Sequence, residues 1–112
     1  MNKLKEIFKV GLVIADIDEY VHIEEMFSDR LERRNIASLY GHIFNIETAT
    51  KTIEVHSVCS GIGKVNAASA GALLAKDCDL IISAGLSGGF SDAGKLDLVV
   101  GTKFIEIGRA HV

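Results

Sequence analysis

The stretch Phe8-Lys-Val-Gly-Leu-Val-Ile-Ala15 is nearly continuously apolar and β-branched, the pattern of a strand covered on both faces, as in a parallel sheet. Asp16-Ile-Asp-Glu19 then opens a helix. Asp16 can cap the first free N–H groups, and Glu19, three residues on, can reach back in a capping box. Tyr20, Ile23, Phe27 and Leu31 follow at near-helical spacing, with Glu24, Glu25, Asp29, Arg30, Glu32 and Arg33 on the remaining surface, which predicts an amphipathic helix ending near Arg34 and Asn35 with residues 24–34 as its solvated face. Residues 38–48 alternate weakly and 51–59 strongly, with Ile53, Val55, Ser57 and Cys59 on one face. Two adjacent strands joined by the turn at 48–51 read as an antiparallel hairpin. After Ser60-Gly-Ile-Gly-Lys64, the alanine-rich residues 65–75 predict a helix packed closely on a sheet. Residues 79–84 predict another buried strand, the glycine loop Gly85-Leu-Ser-Gly-Gly89 follows, and residues 96–105 predict a last strand.

The predicted order β-α-β-β-α-β-β, with buried strands, gives an α/β fold with a mixed, mainly parallel central sheet flanked by helices. Both glycine loops and the acidic segment 16–19 come just after strands. Ligands of open α/β sheets bind in the crevice beyond the carboxyl ends of the strands, so the three segments are expected to converge on one rim.

Composition narrows the classes. In 112 residues there is room for one domain, and 48% hydrophobic content is enough to bury a core. Twelve Lys and Arg against 15 Asp and Glu give a net charge of -3, without the basic clusters of a nucleic-acid binder. No apolar run approaches the length of a membrane span, and the first nine residues lack the pattern of a secretion signal. Two cysteines, Cys59 and Cys78, without metal spacing, read as buried small apolar residues of a reducing, cytoplasmic setting. Proline is absent, so glycine supplies the sharp turns.

Gly61-Ile-Gly-Lys64 invites a nucleotide reading, which the templates reject. A P-loop needs a glycine where Val58 stands and a hydroxyl where Val65 stands, and a dinucleotide fingerprint needs a glycine at Asn66. What survives is a helix N-terminus after a tight turn, which can bind an anion, bring backbone close to a neutral ligand, or serve as a turn and nothing more. Gly85-Leu-Ser-Gly-Gly89 leaves its amides unobstructed, which suits a flat or sugar-like ligand or any sharp corner. His22 and His56 have no ligand-spaced partner and read as surface or packing residues.

Taken together, Lys9-Val-Gly-Leu-Val-Ile-Ala15 with Asp16-Ile-Asp-Glu19, Ser60-Gly-Ile-Gly-Lys-Val-Asn-Ala-Ala68 and Ser83-Ala-Gly-Leu-Ser-Gly-Gly89 resemble the nucleoside phosphorylase and nucleosidase superfamily, most closely the 5′-methylthioadenosine/S-adenosylhomocysteine nucleosidases. The block at 60–68 is the specific one. The resemblance implies a phosphorylase/hydrolase-like fold and water-driven cleavage of the N-glycosidic bond of an adenine thionucleoside, with no cofactor or metal, and a homo-oligomer, a dimer, in the full-length form. Glu19 falls on the position of the catalytic carboxylate, which polarises water and attracts the ribosyl cation. Ala15, Ile62, Leu86, Ser87 and Gly88 fall on positions lining the ribose and base pocket.

Three departures qualify the expectation. Leu86 stands where the family most often has serine. Lys95-Leu-Asp-Leu98 replaces the usual Lys-Val-Gly-Asp turn, and Glu106-Ile-Gly-Arg-Ala-His-Val112 does not follow the expected stretch. The chain corresponds to about the first half of such an enzyme, the N-terminal portion of a single domain. The missing half would carry the Met-Glu pair for the ribose hydroxyls and the Asp that protonates the purine. The expectation is therefore an inactive, marginally stable fragment. A phosphorylase of the same superfamily and a non-catalytic nucleoside-binding domain are the alternatives. The first would need cationic contacts for phosphate, which neither 16–19 nor 85–89 contains.

Overall fold

The computed structural model of the chain describes residues 5–86 and 97–104. Its elements are β1 (Glu6–Ile14), α1 (Ile17–Met26), β2 (Glu32–Arg33), β3 (Tyr40–Glu47), β4 (Lys51–Cys59), α2 (Lys64–Ala75) and β5 (Leu80–Ala84). They form one mixed sheet in the order β2-β3-β4-β1-β5. β1 lies at its centre of connectivity, parallel to β4 on one side and to β5 on the other, whereas β2, β3 and β4 run antiparallel. The predicted hairpin is β3-β4. Its turn closes where the Thr48 N–H donates to the Lys51 carbonyl at 2.9 Å and Thr48 Oγ1 accepts the Lys51 N–H at 2.9 Å.

The period-2 rule divides the sheet residues between two faces. One face carries Val10, Phe44, Val55 and Ser57, with Tyr20 of α1 fully buried against it. Phe27, at the end of α1, stacks on Phe44 with ring centroids 4.3 Å apart. The other face carries Val13 and Val58, which cluster with Ala70 and Leu74 of α2. Gly11 makes that contact possible: a β-carbon there would sit 2.7 Å from Ile81 Cδ1 and 3.1 Å from Leu74 Cβ. The alanine-rich sequence of α2 and the missing side chain at Gly11 therefore produce the same close helix-to-sheet packing.

Two expectations are corrected. The helix predicted to reach Arg34 ends at Met26, with Phe27 as its C-cap. Residues 32–33 instead pair with Ile43 and His42 on the outer edge of β3. Local periodicity cannot register such a pairing, and here the tertiary ladder prevails over helical spacing. The charged stretch is mostly solvated, as expected, but beyond Met26 it is not a helix face: Arg33 places its guanidinium 3.7 Å from the Tyr40 ring centroid, and Tyr40 donates to Glu24. The last predicted strand, 96–105, is not formed over its described part, 97–104. Among the described residues no neighbouring ladder takes up those backbone groups, and without one a strand-like sequence stays irregular. The cysteines are half-buried rather than buried, both as free thiols.

Leu80 and Ile82 of β5 are 47% and 42% exposed, and Leu98, Val99, Val100 and Phe104 are more so. A surface with this much accessible apolar area favours association. The chain is expected to elute larger than a monomer, or to melt at low temperature, in size-exclusion and thermal-scan measurements. A monomer with one sharp, high melting transition would contradict this.

A buried polar cluster joins α1 to the hairpin. The Tyr20 hydroxyl lies 2.8 Å from His42 Nδ1 and 2.8 Å from Ser57 Oγ, and Ser57 Oγ reaches the His42 carbonyl at 3.4 Å. Burial pushes the Tyr20 phenol up to about 12. It also holds the His42 imidazole below its usual range, the repulsion of Arg33 adding to the effect and the attraction of Glu24 opposing it. The unfolded chain therefore takes up a proton at His42 near the ordinary value of about 6.5, while the folded chain resists it to lower pH. This contribution to stability is complete above that value and falls as pH drops through it. Urea midpoints are expected to decline between about pH 7.5 and 5.5, with a smaller decline for His42→Gln.

Candidate functional site

Because β1, β4 and β5 are parallel and Ile14 is in register with both Cys59 and Ala84, the chain leaves all three strands along one edge of the sheet. Residues 15–16, 60–61 and 85–86 lie just beyond it. The ends of β1 and β4 are tied together by the Ser60 N–H, which donates to the Ile14 carbonyl at 2.9 Å.

At the end of β1, Asp16 is the N-cap of α1, its Oδ1 accepting the Asp18 N–H at 3.0 Å. This half of the capping box forms as predicted. The other half does not: Glu19 Oε2 instead accepts the backbone N–H of Leu86 at 2.6 Å, across 67 positions of sequence. A cap that needs only Asp16 leaves the Glu19 carboxylate available to the corner after β5. Gly85 keeps that corner open, since a β-carbon there would stand 3.1 Å from Glu19 Oε2. A hydrogen bond between an ionised acceptor and an amide is short and strong for its kind.

Between these segments lies an open hollow of about 630 Å³, lined by Ile14, Asp16, Asp18, Glu19 and His22 on one side and Ala84, Gly85 and Leu86 on the other. Among the described residues its wall carries three carboxylates and no lysine or arginine. Such a field favours positive charge developing inside it and disfavours an anion. A smaller hollow of about 160 Å³, lined by Arg34, His56, Leu74 and Cys78 among others, adjoins α2 on the opposite face of the sheet and shares none of these residues.

Of the sequence-derived candidates, Glu19 and Leu86 are in contact, the latter through its amide, with its side chain 92% exposed. Ala15 follows β1 directly, and its carbonyl faces Cys59 Sγ at 3.8 Å. Ile62 is 75% exposed on the corner after β4 and is not among the residues lining the hollow. Ser87 and Gly88 lie outside the described residues. Asp18 is not singled out by the sequence, and His22, read there as a surface or packing residue, is exposed at the edge of the hollow. The helical spacing of His22 from Glu19, three positions on, was the available signal, because such residues share one side of a helix. No group of three or more His, Cys, Asp or Glu among the described residues could hold a metal ion, and no helix among them is long and apolar enough to cross a membrane.

The corner after β4 is built on glycine geometry. Gly61 has φ +86° and Gly63 has φ +105° with ψ 155°, the latter in a region essentially reserved for glycine. Asn66 fastens the turn by donating to the Ile62 carbonyl at 2.9 Å. Space is not the constraint at Gly63, where a β-carbon would meet nothing. Gly63→Ala should therefore cost about 1–3 kcal/mol through backbone strain alone, read as a lower urea midpoint. An unchanged midpoint would mean the turn relaxes freely.

A sequence profile of the phosphorylase superfamily matches residues 9–111. Among solved structures, the chain is similar to the 5′-methylthioadenosine/S-adenosylhomocysteine nucleosidase of Neisseria meningitidis in complex with methylthio-immucillin-A. The two are 28% identical with a TM-score of 0.56, over 75% of this chain and 35% of that one. The Colwellia psychrerythraea nucleosidase in complex with adenine gives 29% identity and a TM-score of 0.56, over 76% and 34%. The futalosine hydrolase of Helicobacter pylori gives 25% and 0.51, over 72% and 34%. This chain thus spans about a third of the length of those proteins. A search of curated proteins returned no match. With the sheet order, the acidic hollow at its rim and a profile match over nearly the whole sequence, the chain belongs to the phosphorylase superfamily.

Proposed function

We propose that the chain is the N-terminal portion of a nucleosidase domain that hydrolyses the N-glycosidic bond of 5′-methylthioadenosine- or S-adenosylhomocysteine-type nucleosides and releases adenine. The observation that carries this reading is the place of Glu19: its carboxylate borders a hollow of nucleoside size and is held by the corner after β5. Breaking the bond between ribose and base leaves an oxocarbenium-like cation and requires water to be made more nucleophilic. A carboxylate serves both needs, as a charge facing the cation and as an acceptor for a proton of water. At about 4 Å and an effective dielectric near 20, one such attraction is worth about 4 kcal/mol. Ala15, Ile62, Leu86, Ser87 and Gly88 are assigned to the ribose and base pocket on the strength of the family resemblance.

Two features favour water over phosphate as nucleophile. Among the described residues the hollow is walled by Asp16, Asp18 and Glu19 without a lysine or arginine, and an entering dianion would meet repulsion from each. The solved relatives include nucleosidases and a hydrolase. The test is to incubate a form of the protein that carries the downstream segments expected of the family with 5′-methylthioadenosine, with and without phosphate, and to follow adenine and the sugar product. Adenine with free methylthioribose, independent of phosphate, supports the reading. A phosphate-dependent sugar 1-phosphate would replace it with phosphorolysis, and binding of the nucleoside without cleavage would replace it with a sensor.

A further inference from the structure

The side chain next to Glu19 is the only buried one on α1. Of the ten residues of the helix, Tyr20 alone is buried, at 0% exposure. The helix rests on the sheet through half-buried Ile23 and Glu24, the latter accepting from Tyr40, and Tyr20 is the one side chain it sends in fully. Its two ends are held by Asp16, which caps it, and by Phe27, which stacks on Phe44. Between them the Tyr20 hydroxyl enters the sheet and meets His42 Nδ1 and Ser57 Oγ at 2.8 Å each, with the Ser57 carbonyl at 3.3 Å. His42 and Ser57 are register partners on β3 and β4, so the hydroxyl is gripped by two adjacent strands.

We propose that Tyr20 is a positioning residue for Glu19: its buried hydroxyl, held by His42 and Ser57, sets the rotation of α1 and thereby places the neighbouring carboxylate on the Gly85–Leu86 corner. Geometry gives the sensitivity. A helix with its side chains has a radius of about 5–6 Å, so a rotation of about 20° carries a terminal group by about 2 Å. That displacement breaks a 2.6 Å hydrogen bond such as the one from the Leu86 amide to Glu19. One assignment of the protons closes the network. With His42 Nδ1–H donating to the Tyr20 oxygen, Tyr20 donates to Ser57 Oγ and Ser57 donates to the His42 carbonyl, so each hydrogen has an acceptor. A hydroxyl buried in such a closed set resists rotation, because any turn of the helix strands a polar group away from water. The importance of this placement for bond cleavage rests on the nucleosidase reading; the placement itself does not.

The experiment follows the Leu86 amide by NMR while pH is varied through the carboxylate range. In the wild-type chain this amide should shift as Glu19 takes up a proton, and Glu19→Gln should remove the shift. In Tyr20→Phe, which keeps the ring, and independently in Ser57→Ala, the pH-dependent shift should fall to less than about half of its wild-type size as the charge-assisted bond is lost. Val21→Ala, a change on the same helix at a partly exposed residue, should keep it in full at matched temperature below the melting point. Full-amplitude titration of Leu86 in folded Tyr20→Phe or in Ser57→Ala would overturn the proposal, as would a wild-type shift indifferent to Glu19→Gln. The amide readout requires no turnover. A protein that binds the nucleoside and does not cleave it would overturn the hydrolytic reading while the positioning claim stands or falls on the amide.

Discussion

In any form of the protein that releases adenine from 5′-methylthioadenosine, Glu19→Gln is expected to lower kcat by about 10² to 10⁴ while leaving KM within a few-fold. The substitution is nearly isosteric, and the amide oxygen of Gln can still accept the Leu86 N–H that Glu19 Oε2 accepts at 2.6 Å, so the corner after β5 keeps its shape. What is lost is the charge. An attraction of about 4 kcal/mol to a cation at close range corresponds to about three powers of ten in rate. Removing the acceptor that polarises water falls in the same range, and the two losses overlap because one group supplies both. Wild-type turnover in the variant would show that position 19 is only a helix residue. A rise in KM with kcat retained would make it a binding group and not a catalytic one.

The second large effect concerns the core. Leu74→Ala is expected to destabilise the chain by about 2–5 kcal/mol, as measured by urea unfolding followed by circular dichroism. Leu74 is 2% exposed and packs with Val13, Val58 and Ala70 beneath the sheet, touching the bare backbone of Gly11. Among the described residues that cluster contains four buried ones, so removing the largest of them leaves a cavity that little else there can fill. Set against the 5–15 kcal/mol typical of a whole domain, the loss is enough to unfold a chain with so much exposed apolar surface. A variant with a wild-type midpoint would mean that α2 docks by other contacts.

How much of this was legible in the sequence depended on the range of the interaction that decides each feature. The strand at 8–15, the hairpin and the alanine-rich helix were legible because apolar periodicity and glycine corners are local, and each local preference agrees with the fold. The end of α1 was not legible: Phe27 and Leu31 continue the helical period, yet residues 32–33 find partners on β3, and a pairing with His42 and Ile43 leaves no mark in the sequence of 32–33. The strand predicted at 96–105 reads as apolar and β-branched, but a strand needs a neighbour, which composition cannot supply. At the site, Asp16 as a cap was legible from its type and place. The partner of Glu19 was not, since its nearest sequence signal is the capping box while its actual acceptor role is toward Leu86, 67 positions away. The Tyr20, His42 and Ser57 cluster was equally hidden, because three polar residues at unrelated spacings become neighbours only through strand register.

The account turns on a nucleoside sitting at the sheet rim with its ribose against Glu19. A structure of the protein with 5′-methylthioadenosine or its adenine-containing inhibitors bound tests this most directly. The expected result places the sugar in the hollow between Asp16–Glu19 and Gly85–Leu86, with its anomeric carbon facing the Glu19 carboxylate across one water. A ligand seated elsewhere, or a Glu19 side chain turned to bulk solvent while the nucleoside is bound, would contradict it.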